Sequence, residues 1–161
     1  MRVVVIGGSA LALGYGVAAA TSDVDTYESR NDLLDEAARV ARQVTGLSIP
    51  IANSGIAQFP PGYDDRLVRV LPDLAHLELW VLDAHDLAAS KLLRGNEHDR
   101  QQLRTLHEMA PLDRATLVER FHALLAVFVG NPTEPRWALF HFVDEVWGEI
   151  AALDLDPRSS G

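Results

Sequence analysis

The pattern of apolar and polar positions predicts that the chain opens with a strand, a tight turn, a helix and a second strand. The first strand is a short run of β-branched residues, 3–6, which two glycines end abruptly. Such a run is typical of a buried strand. We expect the helix to extend from about Ser9 to Val17, with Ser9 as its N-cap, and the second strand to cover about 24–27.

Further periodic segments follow, separated by turn residues. Apolar residues at helical spacing predict a helix after a capping-box-like stretch, and alternation predicts two strands around a Pro-Asp turn. In order, we expect a helix over 33–44 that begins near Ser29-Arg30-Asn31-Asp32 and ends at Gly46, a short strand within 48–52, a loop over 58–66, and strands over 67–71 and 76–82.

The second half of the chain is expected to be helical. The predicted helices cover 83–95, 97–109, 113–129 and 135–152. An apolar stripe in the last of them either packs on the core or forms a partner or homodimer surface. We therefore expect one domain over 1–161, of the α/β (α+β) class, with an α/β core in 1–95 and a helical part in 97–153.

Composition and charge limit the classes of function. The chain has 161 residues, no cysteine and a formal net charge of -9. The absence of cysteine excludes disulfides and thiolate metal sites, which fits a cytoplasmic protein. The negative charge argues against broad electrostatic binding to nucleic acid. No apolar run reaches the length of a membrane span, so we expect no membrane partner.

The candidate chemistry lies at the first turn and the second strand. Asp23 and Asp25 are two residues apart, so on a strand their side chains leave the same face. Neighbouring carboxylates repel unless a cation lies between them, and divalent cations prefer oxygen ligands. The glycines Gly7 and Gly8 allow a phosphate to approach the backbone at a helix start. A metal held near phosphates is the arrangement that phosphoryl or nucleotidyl transfer needs.

Two other interpretations of this segment stay open. In the first interpretation, Gly7 and Gly8 only end a strand, and Asp23 is an acidic residue at the edge of a strand or in a turn. In the other, residues 3–8 open a dinucleotide-binding unit and Asp23 or Asp25 binds a ribose. The turn lacks the full Gly-x-Gly-x-x-Gly pattern, and the chain lacks the repeated strand–helix alternation of such folds.

These residues resemble the signature of the DNA-polymerase-beta-type nucleotidyltransferase superfamily. The glycine-serine turn, the helix and the Asp-x-Asp strand carry the likeness. Within the superfamily, the chain is most similar to small bacterial nucleotidyltransferase-like proteins related to abortive-infection toxins. Three segments carry this closer resemblance: Thr21-Ser22-Asp23-Val24-Asp25, Pro61-Gly62-Tyr63-Asp64-Asp65-Arg66, and Asp86-Leu87-Ala88-Ala89-Ser90-Lys91-Leu92 with Asp99 beyond.

The resemblance implies a mixed sheet flanked by helices and a set of site residues. Asp23 and Asp25 would hold Mg²⁺, Gly8 and Ser9 would contact the triphosphate of an NTP, and Lys91 would reach phosphate. Glu78 is the candidate for a third catalytic carboxylate because it lies in the middle of a predicted strand, taken as a neighbour of the site. The implied reaction transfers a nucleoside monophosphate to an RNA or protein acceptor. The implied setting is a toxin–antitoxin or phage-defence system with a cognate antitoxin.

Some positions depart from the pattern of that family. Ala19 stands where relatives often carry arginine, and Asn96 and His98 stand where they carry arginine and lysine. Lost cations weaken a phosphate site, because charge-assisted contacts to phosphate are the strong ones. A catalytically degenerate protein that acts as a nucleotide- or protein-binding module is therefore the second hypothesis.

Overall fold

The computed structural model describes residues 1–18, 21, 23–27, 32–48, 50–53 and 57–159. The chain divides into two compact units. The first comprises Met1–Ala57 and Asp64–Asp83, and the second comprises Gln58–Tyr63 and Ala84–Gly161. The organisation as a single domain stays a prediction. None of the helices in the described ranges combines the length and the hydropathy needed to cross a bilayer.

The first unit contains a five-stranded mixed sheet and two helices. Its elements are β1 (Arg2–Ile6), α1 (Gly7–Tyr15), β2 (Val24–Tyr27), α2 (Asp32–Thr45), β3 (Ile51–Asn53), β4 (Val68–Val70) and β5 (Glu78–Val81). A short 3₁₀ turn at Tyr63–Arg66 lies within the predicted loop. The predicted α/β class, with a mixed sheet and flanking helices, is confirmed.

Strand β1 lies at the centre of the sheet, whose order is β3-β2-β1-β5-β4. It pairs antiparallel with β2 and parallel with β5. Val5 and Val81 are paired in the register and both are almost fully buried. Helix α1 packs on their face, because a Cβ added at Gly14 would lie 2.7 Å from a methyl group of Val81. The small residue thus lets the helix approach the sheet closely.

The start of α1 corrects one sequence prediction. The helix begins at Gly7, with Ile6 at the N-cap position, so the assignment of Ser9 as N-cap was wrong. Ser9 lies in the first turn, where its hydroxyl donates a hydrogen bond to the carbonyl oxygen of Asp23 at 2.7 Å. The residues of the proposed capping box before α2, at 29–31, lie outside the described residues.

The second unit is helical, as predicted. Its helices are α3 (Ala84–Arg94), α4 (Glu97–Met109), α5 (Arg114–Val127), α6 (Thr133–Trp147) and α7 (Glu149–Ala152). The single helix predicted over 135–152 is divided at Gly148, which has a φ of 92°. In the apolar stripe, Leu139 and Val143 are buried whereas Ile150 is 88% exposed. The stripe therefore packs on the helical core through its first half.

Candidate functional site

The glycine turn and Asp25 lie directly against each other. The antiparallel register pairs Ile6, the last residue of β1, with Asp25. Gly7 follows with a φ of +67°, and a Cβ added there would lie only 2.8 Å from Oδ2 of Asp25. Any other residue at this position would be strained and would also collide with the carboxylate. The turn thus needs glycine for two independent reasons, and both keep the carboxylate beside the main chain.

The backbone of Asp23 is fixed by two hydroxyl groups. Oγ of Ser9, which is 5% exposed, donates to the carbonyl oxygen of Asp23 at 2.7 Å. Oγ1 of Thr21 donates to the same oxygen at 2.9 Å and to Oδ1 of Asp23 at 3.0 Å. Thr21 therefore orients the carboxylate as well as the main chain. Sequence reasoning assigned Thr21 no role, although a threonine two residues before an acid is a local signal for such a contact.

The N-terminus of α1 is suited to an anion. Ile6 has no side-chain oxygen and makes no capping hydrogen bond, and the first turn contains no acidic residue. The N–H groups of Gly8 and Ser9 occupy the second and third helical positions, which an N-cap side chain normally satisfies. With the positive end of the helix dipole, these groups form a ready site for a phosphate.

Two half-buried carboxylates beside this turn fit Mg²⁺ in its usual protein setting. Mg²⁺ is typically bound through one or two carboxylates together with phosphate oxygens and water. Asp23 and Asp25 supply two carboxylates, and the start of α1 supplies the phosphate contacts. Among the described residues, no group of three or more histidine or acidic side chains is placed to hold a metal. The two carboxylates and the phosphate contacts are the donors that such a site would use.

The structure does not bring Glu78 to this turn. Glu78 is exposed and pairs with Arg2 at the start of β1, whereas Asp25 pairs with Ile6 at its end. Four residues of strand separate the two levels, roughly 13 Å at the rise of a β-strand. A direct role for Glu78 as third carboxylate stays a prediction that this position does not favour. Asp83, which follows β5, lies nearer to the level of the turn in the same register.

Lys91 belongs to the second unit, where it forms a buried ion pair. Its Nζ donates to Oδ1 of Asp99 at 3.0 Å and to Oε1 of Gln102 at 2.6 Å. Lys91 is 2% exposed and Asp99 is 1% exposed. Arg94 donates to both carboxylate oxygens of Asp99, at 3.0 Å and 2.6 Å. The phosphate contact of Lys91 stays a prediction, and its ammonium group already has two strong acceptors.

The acid of this cluster is held in its ionised form. Burial by itself raises the pKa of Asp99, but the hydrogen bond from Arg94 and the charge of Lys91 outweigh it. The net effect lowers the pKa of the Asp99 carboxyl below its ordinary value. The cluster therefore stays a charged network at neutral pH.

The positions that depart from the family pattern have structural roles. Oδ1 of Asn96 accepts a hydrogen bond from the backbone N–H of Asp99 at 2.8 Å and thereby caps α4. The ring Nε2 of His98 lies 2.9 Å from Nε2 of Gln102. Ala19 lies outside the described residues. Asn96 and His98 thus support the helix that carries Asp99.

The face of the sheet that carries Asp25 also carries Trp80. The register aligns Tyr27, Val4 and Trp80 in one row across β2, β1 and β5. The guanidinium of Arg2 lies 5.3 Å from the ring centroid of Trp80, a cation–π geometry. In the described part of the chain, the buried indole N–H of Trp80 has no hydrogen-bond partner. A buried donor without a partner is energetically costly in the folded protein.

Replacing Ser9 by alanine tests the contact that fixes Asp23. The change removes one hydrogen bond and leaves the Asp23 carbonyl with Thr21 alone, so we expect a loss of about 1 kcal/mol in the free energy of unfolding. Urea denaturation measures it. Thr105→Ala, which removes an exposed hydroxyl-to-carbonyl bond, is the matched control and should change stability less. Equal losses in both variants would contradict a structural role for Ser9.

The comparisons with known proteins are consistent with this geometry. A family described as "Nucleotidyltransferase of unknown function (DUF6036)" matches residues 1–149. No curated protein and no solved structure matches the chain significantly. The match covers the glycine turn, both aspartates and the Lys91 cluster, and it confirms the predicted likeness to nucleotidyltransferases. The relation to abortive-infection toxins stays a prediction. The chain therefore belongs to this family of nucleotidyltransferases of unknown function.

Proposed function

We propose that the protein is a Mg²⁺-dependent nucleotidyltransferase that moves a nucleoside monophosphate from an NTP to an RNA or protein acceptor. The observation that carries the proposal is the position of Asp25. Its carboxylate lies against the backbone of Gly7, at the start of α1, where the N-cap residue Ile6 makes no capping hydrogen bond. This arrangement supports a metal ligand beside a phosphate-binding helix start, as nucleotidyl transfer requires.

The proposed reaction is an in-line displacement at the α-phosphorus. A hydroxyl oxygen of the acceptor forms the new P–O bond, and its proton passes to solvent. The bond between the α-phosphorus and the bridging oxygen breaks, and pyrophosphate leaves with the bonding electrons. Bound Mg²⁺ would neutralise charge that develops on the phosphate oxygens. Asp23 and Asp25 would hold that ion in place, and the N–H groups of Gly8 and Ser9 would orient the phosphates.

The row that contains Trp80 supports a nucleotide as the substrate. An aromatic ring on the same face as Asp25 offers a stacking surface for a base. Tyr27, on the neighbouring strand, extends the aromatic row towards Asp25. We therefore assign the base to this face and the phosphates to the glycine turn.

A second function is favoured by the Lys91 cluster. Because Nζ of Lys91 bonds to Asp99 and Gln102 in a buried site, the cation has a structural role that needs no phosphate. A protein that has exchanged a catalytic cation for a structural one would bind an NTP without transferring it. The second candidate is therefore a catalytically degenerate member that acts as a nucleotide- or protein-binding module.

The biological setting is part of the proposal. By its resemblance, the enzyme would be the toxin-like component of a toxin–antitoxin or phage-defence system, neutralised by a cognate antitoxin protein. The acidic net charge of -9 fits a basic partner protein. An RNA acceptor would then be bound mainly through stacking and local contacts, since broad electrostatic attraction is absent.

A labelling experiment separates the two candidates. Purified protein is incubated with each α-³²P-labelled NTP, Mg²⁺ and cell extract, and label in RNA and protein is followed on gels. The test variant is Asp23→Asn/Asp25→Asn, and the control is Asp73→Asn/Glu108→Gln, which removes the same charge from exposed positions. Label transfer by the wild type and the control, but not by the Asp23→Asn/Asp25→Asn variant, supports the enzyme. NTP binding without transfer supports the second candidate. A protein that neither binds NTP nor transfers label would contradict both the enzyme and the nucleotide-binding module.

A further inference from the structure

A cavity of about 440 Å³ lies in the second unit, to which every described residue that lines it belongs. Its walls come from the second half of α5, the first half of α6 and the segment 153–159, which forms two short 3₁₀ turns. We call this segment the C-terminal strap. Sites for small molecules have volumes of roughly 300–1,000 Å³, so the cavity is large enough for one small organic molecule.

The C-terminal strap is held near both of its ends. Arg114, at the start of α5, donates through Nε to the carbonyl oxygen of Ala151 at 2.9 Å and forms an ion pair with Asp154. At the other end, the guanidinium of Arg158 lies 5.8 Å from the ring centroid of Trp137 on α6. Both helices that form the other walls therefore hold the strap, so the cavity is part of the folded unit.

The inner wall of the cavity is apolar. Leu139, from α6, is 2% exposed, and Leu125, Leu155 and Pro157 are half-buried. Among the described residues that line the cavity, His122 has the only aromatic ring. The wall therefore suits an aliphatic group and offers little stacking surface to a nucleobase.

The polar side chains of the cavity leave one positive charge without a partner. Arg136 is exposed, and within the described ranges its guanidinium makes no hydrogen bond or ion pair. The carboxylate of Asp154, by contrast, is paired with Arg114. Arginine stays protonated and presents its N–H donors in a fork that matches a carboxylate. The cavity thus combines an aliphatic wall with a binding group for one anion.

We propose that the cavity binds a small organic anion that carries one carboxylate on an aliphatic body. The guanidinium of Arg136 donates hydrogen bonds to the carboxylate, and such charge-assisted contacts are stronger than neutral ones. The aliphatic body packs on Leu125, Leu139 and Leu155 and is thereby removed from water. Each methylene group that is buried in this way tightens binding by up to about 4-fold.

An NTP is a poor match for the cavity, which therefore lies outside the proposed reaction. A triphosphate carries several negative charges and is usually bound with Mg²⁺, whose protein ligands are carboxylates. Asp154 is the single acidic residue among the described residues that line the cavity, and it is already paired with Arg114. One unpaired arginine fits one carboxylate better than a triphosphate. A protein that transfers no nucleotide would still bind the anion here.

An NMR titration of the ¹⁵N-labelled full chain with sodium octanoate tests the proposal. Octanoate should shift the amide signals of Leu125, Leu139 and Leu155, with a dissociation constant of about 1 mM or below. Butyrate has the same carboxylate on a shorter body and should bind at least about 10-fold more weakly. 1-Octanol has the same body without the charge and should bind at least about 5-fold more weakly.

Three variants separate the charge from the apolar wall. Arg136→Gln keeps a polar side chain without the charge, and it should weaken octanoate binding to the level of 1-octanol. Ala126→Phe places a ring at a residue that lines the cavity and should weaken both ligands. Arg42→Gln removes an exposed arginine of α2 and should bind octanoate as the wild type does. The amide spectrum of each variant checks that the second unit remains folded.

Several results would overturn the proposal. The absence of shifts at the cavity residues up to about 10 mM octanoate would do so. Equal affinity of the wild type for octanoate and 1-octanol, or equal effects of the variants at positions 136 and 42, would exclude Arg136 as the anion-binding group. An NTP that shifts the same signals and displaces octanoate would assign the cavity to nucleotides instead.

Discussion

Replacing Gly7 by alanine is expected to lower nucleotidyl transfer at least about 100-fold, because a misplacement of about 1 Å in a reacting group has an effect of this size. The new Cβ would lie 2.8 Å from Oδ2 of Asp25 and must displace that carboxylate. The left-handed backbone, at a φ of +67°, adds strain of about 1–2 kcal/mol. Transfer rates and urea denaturation of the purified variant measure the two effects separately.

Gly46→Ala is the matched control for this variant. Gly46 has nearly the same backbone conformation, with a φ of +72°, but a Cβ added there meets nothing within 4 Å. The control should lose a similar amount of stability and keep its activity. Full transfer by Gly7→Ala, or an equal loss of transfer in both variants, would show that the contact between the turn and Asp25 has no part in the reaction.

The largest effect on stability is expected from Asp99→Asn. The change leaves the ammonium of Lys91 buried without its carboxylate, at an expected loss of about 3–5 kcal/mol in the free energy of unfolding. Lys91→Met should lose less, because Asp99 keeps its hydrogen bonds to Arg94. Urea denaturation measures both variants.

Glu36→Gln provides the comparison for that loss. It removes one partner of an exposed ion pair with Arg39, whose side chains are more than half exposed. Such pairs contribute little, so we expect no measurable change. If Asp99→Asn were as stable as Glu36→Gln, the buried cluster would not stabilise the second unit.

The same carboxyl group predicts a pH dependence. The pKa of Asp99 is lower in the folded protein than its ordinary value of 3.8. The unfolded state therefore takes up the proton first as the pH falls. The contribution of the Asp99 carboxylate to stability is complete above pH 3.8 and is lost as the pH falls below that value. The stability difference between the wild type and Asp99→Asn should be constant near neutral pH and shrink once the pH falls below 3.8. A difference that grows as the pH falls would contradict the assignment.

The sheet could be predicted well because its pattern is local. Consecutive β-branched residues in β1 and alternation in β5 each fix a strand without reference to other parts of the chain. Boundaries that depend on contacts were harder to place. Ser9 looked like an N-cap by residue type, but its hydroxyl bonds to Asp23, which is fourteen residues away in sequence. The break in the last helix occurs at Gly148, whose φ of 92° lies outside the helical region.

The candidate site could be predicted in part for the same reason. Asp25 lies on β2 and against Gly7, whereas Asp23 precedes that strand and is not on it as the spacing predicted. Their role as a metal site stays a prediction. The identity of a third carboxylate cannot be predicted without the strand order. An acid can reach the site only from the end of its strand that lies beside the glycine turn. Glu78 lies on β5, which pairs directly with β1, but at the end of β5 that is away from the glycine turn. The buried ion pair of Lys91 could not be predicted, because its partners, Asp99 and Gln102, lie on the next helix.

The most direct test of the account is a calorimetric titration with a non-hydrolysable NTP analogue, with and without Mg²⁺. We predict that the wild type binds the analogue only when Mg²⁺ is present, and that Asp23→Asn/Asp25→Asn weakens binding at least about 10-fold, or roughly 1.4 kcal/mol. The exposed control, Asp73→Asn/Glu108→Gln, should bind as the wild type does. Binding that is independent of Mg²⁺ and unchanged in the Asp23→Asn/Asp25→Asn variant would contradict a metal–nucleotide site at the glycine turn.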